Sequence, residues 1–271
     1  MPSLTDRRAL ERNRIRSLRL GPVDFLHRII ADEIQDRLAE INRRFRDIAV
    51  VTGRPDFWRG AMPGARIVAD RPELELDPGG HDLVIHAMAL HWAEDPVGQV
   101  VQAARALRPD GLFIAACPGG RSLHELREVL TRAEVEVTGG LSPRVLPMGE
   151  IRDLGGLLAR GGLALPVADQ ITRFVSYRSL FHLAQDLRAM GEGNALAGRL
   201  RRPTRRDVLL RAAALYAENH VDPQDETRIR ATFDLVFLTG WAPDASQQKP
   251  LRPGSARMPL AEALASTRKP E

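Results

Sequence analysis

Three histidines, His81, His86 and His91, recur every five residues in an apolar stretch, and the chain's single cysteine, Cys117, follows downstream. Histidines at such spacing invite a metal proposal. Five is an odd number, however, so residues 81 and 86 on a strand point to opposite faces, and no metal site is expected. Cys117 closes an apolar run; with no basic partner assignable to it, a buried small hydrophobe is favoured over a nucleophile. Gly119-Gly120 stands before a helix, where a plain turn or an anion cradle at the helix N-terminus would fit. His91-Trp92 has two readings. Either Trp92 packs under a sheet edge while His91 bonds to a loop, or His91 works on the substrate side. His91 is the one candidate catalytic residue, and no other is assigned.

The elements that must position these groups are readable around them. Leu83–Ile85 is a buried strand, and Asp95–Leu107 carries Val97, Val100, Val101, Ala104 and Leu107 at helical spacing. Arg108-Pro109-Asp110-Gly111 turns into a second apolar strand, Leu112–Ala116. Strand, crossover helix, turn and continuous apolar strand make a βαβ unit of a parallel sheet buried on both faces.

Upstream, residues 5–20 read as a polar helix with Leu10, Ile15 and Leu18 as packing candidates, a loosely held arm. Asp24–Arg44 is an amphipathic helix with Leu26, Ile30, Ile34, Leu38 and Ile41 at near-fourfold spacing. Asp47–Val51 and Arg66–Asp70 are short strands flanking a helix over Pro55–Met62. Downstream, Ser122-Leu123-His124-Glu125 has the form of a capping box opening a helix to Val137. A helix over Met148–Gly161 and a strand over Pro166–Tyr177 follow. Ser179–Met190 and Arg206–His220 are helices of an insert, and Ile229–Trp241 alternates as the last strand. The expected organisation is an N-terminal helical arm over 1–46, an α/β core over 47–178, and a helical insert over 179–228. The last core strand spans 229–242, and an irregular tail 243–271.

The 44% hydrophobic and 27% charged composition of the 271 residues is that of a globular chain with a full core. With one cysteine there is no internal disulfide and no multi-cysteine zinc site. No apolar run reaches 18 residues and no apolar segment lies near Met1, which predicts neither a transmembrane helix nor a secretory signal, and a cytoplasmic, reducing location. The net charge of +4 rests on arginine, Lys249 and Lys269 being the only lysines. Arginines cluster over 7–19 and 199–206, where a solvated helix end or loop is favoured over a site for an anionic partner. No aromatics interleave with them as a nucleic-acid stacking platform requires.

The run HDLVIHAMALHW (81–92) with ALRPDGLFIAA (106–116) resembles the fourth and fifth strands of class I S-adenosylmethionine-dependent methyltransferases. The stretch from Arg121 to Asp169, DLRAMGEGNAL at 186–196, FLTGWAPDASQQKPLRPGSA at 237–256 and FLHRIIADEIQDRL at 25–38 resemble one branch more closely. That branch contains the mitochondrial complex I (NADH dehydrogenase) assembly factor 5 family and its bacterial relatives. The biotin-pathway malonyl-carrier-protein O-methyltransferases are a more distant likeness.

The resemblance implies a Rossmann-like fold with a helical insert before the last strand, and S-adenosylmethionine as cofactor. It implies a protein partner, either a respiratory complex I subunit or a carrier protein, and a location that could be membrane-peripheral through that partner. Modification of a subunit side chain by hydroxylation is proposed for the branch in place of ordinary methyl transfer. In such folds the cofactor lies at the carboxyl ends of the first strands. The matching positions here are Gly53 after the first strand, Asp70 at the adenine-contact position, and His86 and Ala87 at the fourth.

The cofactor half nevertheless departs from the family. Thr52-Gly53-Arg54-Pro55 is not a glycine-rich loop. Only 19 positions separate Val51 from Asp70, room for one parallel crossover and not two. The strand Arg66–Asp70 is therefore assigned as the family's third, with the second strand, its helix and its ribose-binding carboxylate absent. Two functions follow: a methyltransferase-family protein with a degenerate cofactor site acting on a protein or carrier protein, or a non-catalytic assembly scaffold that has lost the cofactor.

Overall fold

The computed structural model describes residues 3–247. Most of the predicted tail lies outside the described residues.

Two helices come first, α1 (Arg7–Leu20) and α2 (Phe25–Glu40). Then β1 (Ile48–Thr52), α3 (Pro55–Ala61), β2 (Arg66–Ala69) and β3 (His81–Ala87) lead to a 3-10 turn at Leu90–Trp92. The crossover helix α4 (Pro96–Ala106) returns the chain to β4 (Leu107–Gly119). Beyond it lie α5 (His124–Thr138), α6 (Ile151–Arg160), β5 (Ala164–Tyr177), α7 (Leu180–Met190) and α8 (Arg206–Asn219). A short β6 (Val221–Asp222) and a long β7 (Asp225–Trp241) close the described chain.

The sheet runs β2-β1-β3-β4-β7-β5, with β6 on β7. The first four strands are parallel, and β7 is antiparallel to β4, β5 and β6. This is the expected α/β architecture with a mostly parallel sheet. β2 pairs directly with β1, Ala49 opposite Arg66 through Thr52 opposite Ala69, and only α3 lies between them. One βα unit is missing at this edge, as the short spacing requires.

Strand alternation sends Leu83, Ile85 and Ala87 into one core and Val84 into the other. The first core is covered by α2, α5, α7 and α8, the second by α4 and α6. Every residue of β3 is buried, and its middle, Leu83–Ile85, is apolar on both faces as a strand covered on both sides requires.

Three local expectations are corrected. Ser122 does not cap α5: its Oγ donates to the carbonyl of Asp234, and the N-cap is Leu123, in a left-handed conformation. The last strand begins at Asp225, not Ile229, because Val221-Asp222 folds back against it in a hairpin whose turn is held by Gln224 N–H donating to Asp222. In α1, Leu10 is buried, but Ile15 and Leu18 are more than half exposed at 57% and 54%. The arm is not loosely held; polar contacts fasten it.

Candidate functional site

The carboxyl ends of β1, β2 and β3 form the edge where the sequence placed its cofactor residues, and α1 lies across it. Gly53 follows β1 and Asp70 follows β2. Arg14, projecting from α1, reaches both. Its guanidinium rests on Gly53 so closely that a Cβ there would collide with it. The same guanidinium donates to both carboxylate oxygens of Asp70, Nη1 to Oδ1 at 2.7 Å and Nη2 to Oδ2 at 2.9 Å. Arg7, two turns earlier, adds Nη2 to the Asp70 carbonyl at 2.6 Å and Nη1 to Oδ2 at 3.4 Å. Burial alone would raise the Asp70 pKa, but the charges of Arg14 and Arg7 outweigh it and hold the carboxyl below the usual carboxylate range.

Arg54, the next residue, folds under α1. It is 7% exposed, donates to Ser17 Oγ at 2.8 Å and pairs with Asp24. The arginines over 7–19 thus include two whose anionic partner is the protein's own Asp70.

The middle of α1 is also fastened by Gly191-Glu192-Gly193-Asn194, the turn after α7. Gly191 has φ +84° and lies against the Arg14 backbone, so both its conformation and the close approach require glycine. Asn13 donates to the Gly193 carbonyl at 2.9 Å. Glu192 points inward and accepts from Trp92 Nε1 at 2.6 Å and His91 Nε2 at 3.1 Å. Burial works against this carboxylate, yet His91, Arg14 and the Trp92 hydrogen bond together pull its pKa down to about 2.

His91 therefore bonds to a loop, and Trp92 is buried, as the first of the two readings has it. His91 also lines the cavity beside it, and its Nδ1 has no partner among the described residues. His86 is on the opposite face of β3: fully buried, it donates from Nε2 to Gln99 Oε1 on α4 at 3.0 Å, and Gln99 in turn donates to the carbonyl of Arg71 at 2.6 Å. Burial lowers its pKa, so the ring is neutral. Ala87 is enclosed in the first core, paired with Thr52 and Ala116. Gly53 and Asp70 are brought together; the side chains of His86 and Ala87 do not join them.

Gly119-Gly120 does meet an anion, but an internal one. Asp234 of β7 accepts from the Arg121 amide at 2.7 Å and lies against Gly120. Cys117 is buried, and burial pushes its thiol up to about 12, an inert group.

Beside the plugged edge is a cavity of about 400 Å³. Its walls come from the carboxyl ends of β3 and β4 (Met88, Pro118), from α5, from the 143–148 loop and from the insert helices α7 and α8. The insert therefore covers the carboxyl edge of the sheet. Sequence reasoning missed Arg7, Arg14 and Glu192. The signal for Glu192 was available: a charged residue between two glycines, directly after an apolar helix.

A family profile described as a methyltransferase domain matches residues 32–115. The malonyl-[acyl-carrier protein] O-methyltransferase of Laribacter hongkongensis is 32% identical over 212 residues, covering 78% of this chain and 68% of that one. The chain belongs to the class I S-adenosylmethionine-dependent methyltransferase superfamily. Within that superfamily, the mitochondrial arginine-hydroxylase NDUFAF5 of Dictyostelium discoideum is 40% identical over 181 residues. That match takes in 67% of this chain but only 41% of the relative, so the methyltransferase-family chain spans less than half of that protein's length. The crystal structure of a putative methyltransferase from Bacillus halodurans superposes with a TM-score of 0.50 at 12% identity, over 79% of this chain and 99% of that one, a likeness of fold.

Proposed function

We propose that this methyltransferase-family protein has lost S-adenosylmethionine and serves as a non-catalytic assembly factor for a protein partner, in the maturation of respiratory complex I. The observation that carries this reading is the placement of Arg14. A methyltransferase of this class needs open backbone after its first strand and a carboxylate free to accept from the cofactor. Here the backbone of Gly53 is covered, and both oxygens of Asp70 are taken by guanidiniums. The residues at this edge do not fit the cofactor. The resemblance to the complex I assembly factor 5 family supports the complex I assignment, and relatives named arginine-hydroxylase NDUFAF5 are among the chain's matches. Among the described residues no helix is long and apolar enough to cross a membrane.

The second reading is a family member that binds S-adenosylmethionine after α1 moves, and acts on a protein or carrier protein. Gly53 and Asp70 favour it, since they persist together at the right edge of the sheet. Methyl-tritiated S-adenosylmethionine separates the two. Purified protein is added to a lysate of host cells deleted for this chain, and assembled complex I is followed on re-expression. The proposed role gives restored assembly with no protein-dependent label; label that requires the native protein overturns it.

A further inference from the structure

The cavity under the insert has two unlike parts. Its interior is apolar, built from side chains such as Met88, Trp92, Leu126, Val145, Leu187 and Phe233. The polar groups that reach it are mostly engaged within the protein: Ser122 with the Asp234 carbonyl, Glu192 with Trp92 and His91, Arg144 with Glu134, and Arg199 with Asp6. Apart from His91 Nδ1, such a space offers water few bonds.

Its rim is cationic. Arg188 lines the cavity, is exposed, and has no ion pair among the described residues. The loop joining α7 to α8 contributes Arg199, Leu200 and Thr204 to the wall, and between them it carries Arg201 and Arg202, exposed and without ion pairs among the described residues. The arginine cluster at 199–206 is thus the lip of an apolar chamber.

We infer that this cavity binds an amphipathic anion: a single alkyl or acyl chain in the interior, with a carboxylate or phosphate head held by Arg188 and the arginine loop. An apolar chain of this kind replaces the missing packing partners of the wall, and the head stays at the solvent edge where rim cations need no desolvation. The cavity's 400 Å³ is within the range of small-molecule sites and suits one chain, not a folded partner. This goes beyond the assembly role and does not depend on the loss of S-adenosylmethionine, so the two are refuted by different titrations.

The test uses dodecanoate and dodecyl phosphate, with dodecyltrimethylammonium as the cationic control and phosphatidylglycerol vesicles as the membrane arm. Binding is followed by tryptophan fluorescence, Trp92 being in the wall. The expected result is saturable one-to-one binding of both anions, and at least about tenfold weaker binding of the cation and of the anions to Arg188→Glu. Ala184→Phe, which fills the chamber from α7, should abolish binding with the circular dichroism unchanged. Should that variant misfold, Arg188→Glu on the surface still decides. No saturable binding, equal binding of anion and cation, or binding to vesicles alone would overturn the inference.

Discussion

Arg14 and Asp70, 56 positions apart in the chain, meet as a two-point ion pair at the carboxyl edge of the sheet, at 2.7 and 2.9 Å. Their side chains are only 12% and 6% exposed. In this position the pair does two things. It fastens an otherwise polar helix to the core, and it fills the space over Gly53.

Removing one member leaves a buried charge with less than its full complement. Arg14→Met should cost about 3–5 kcal/mol of unfolding free energy, measured by urea denaturation. Replacing both, Arg14→Met with Asp70→Leu, should recover much of that loss. A single replacement costing under about 1 kcal/mol would mean the pair is solvated and the helix loosely placed.

Acid should destabilise the protein before its carboxylates titrate. His27 is buried, accepts from Trp58 Nε1 at 3.1 Å, and is pushed down by burial to about 4. The unfolded chain takes up a proton on this ring below about pH 6.5 while the native state does not. Stability is therefore fully present above pH 6.5 and falls as pH drops toward 4, with His86 acting in the same direction. His27→Gln should flatten that slope between pH 6.5 and 4.5; an unchanged slope would place the proton uptake elsewhere.

Glu192 acts on α1 through charge: its hydrogen bonds go to Trp92 and His91, and its carboxylate attracts Arg14. Glu192→Gln keeps an acceptor for Trp92 but loses the attraction to Arg14 and His91. Tryptic cleavage at the arginines of α1 should speed up about tenfold with the global unfolding midpoint nearly unmoved, the mark of local opening. Equal cleavage rates would show that α1 is held without Glu192.

Cys117 should be silent toward Ellman's reagent at pH 8 in the native state and react fully in denaturant, because its thiol is buried and raised to about 12. Reaction on mixing would place it at a surface.

The sequence carried the sheet well. Leu83–Ile85 and Leu112–Ala116 announce themselves because strands buried on both faces are apolar without interruption. The 19 positions from Val51 to Asp70 allowed one crossover, and β2 lies against β1 accordingly. Asp225–Arg228 was invisible as strand because its residues are polar and paired only at a hairpin end. Ser122 looked like a cap because a capping box is a local pattern, while its actual partner, Asp234, is 112 positions away. Arg7 and Arg14 were hidden for the same reason. A helical period shows which residues share a face, not that an arginine will turn inward to a carboxylate on a distant strand.

Calorimetric titration with S-adenosylmethionine and S-adenosylhomocysteine tests most directly the proposed occupation of the cofactor's place by α1. The wild-type protein should show no binding at micromolar ligand. Loss of a ribose carboxylate bonded at about 1.5–3 kcal/mol costs one or more orders of magnitude in affinity, even before the covering of Gly53 is counted. Asp70→Ala should leave that result unchanged. Micromolar binding by the wild type, abolished by Asp70→Ala, would contradict the account and make Asp70 a cofactor ligand in a working methyltransferase.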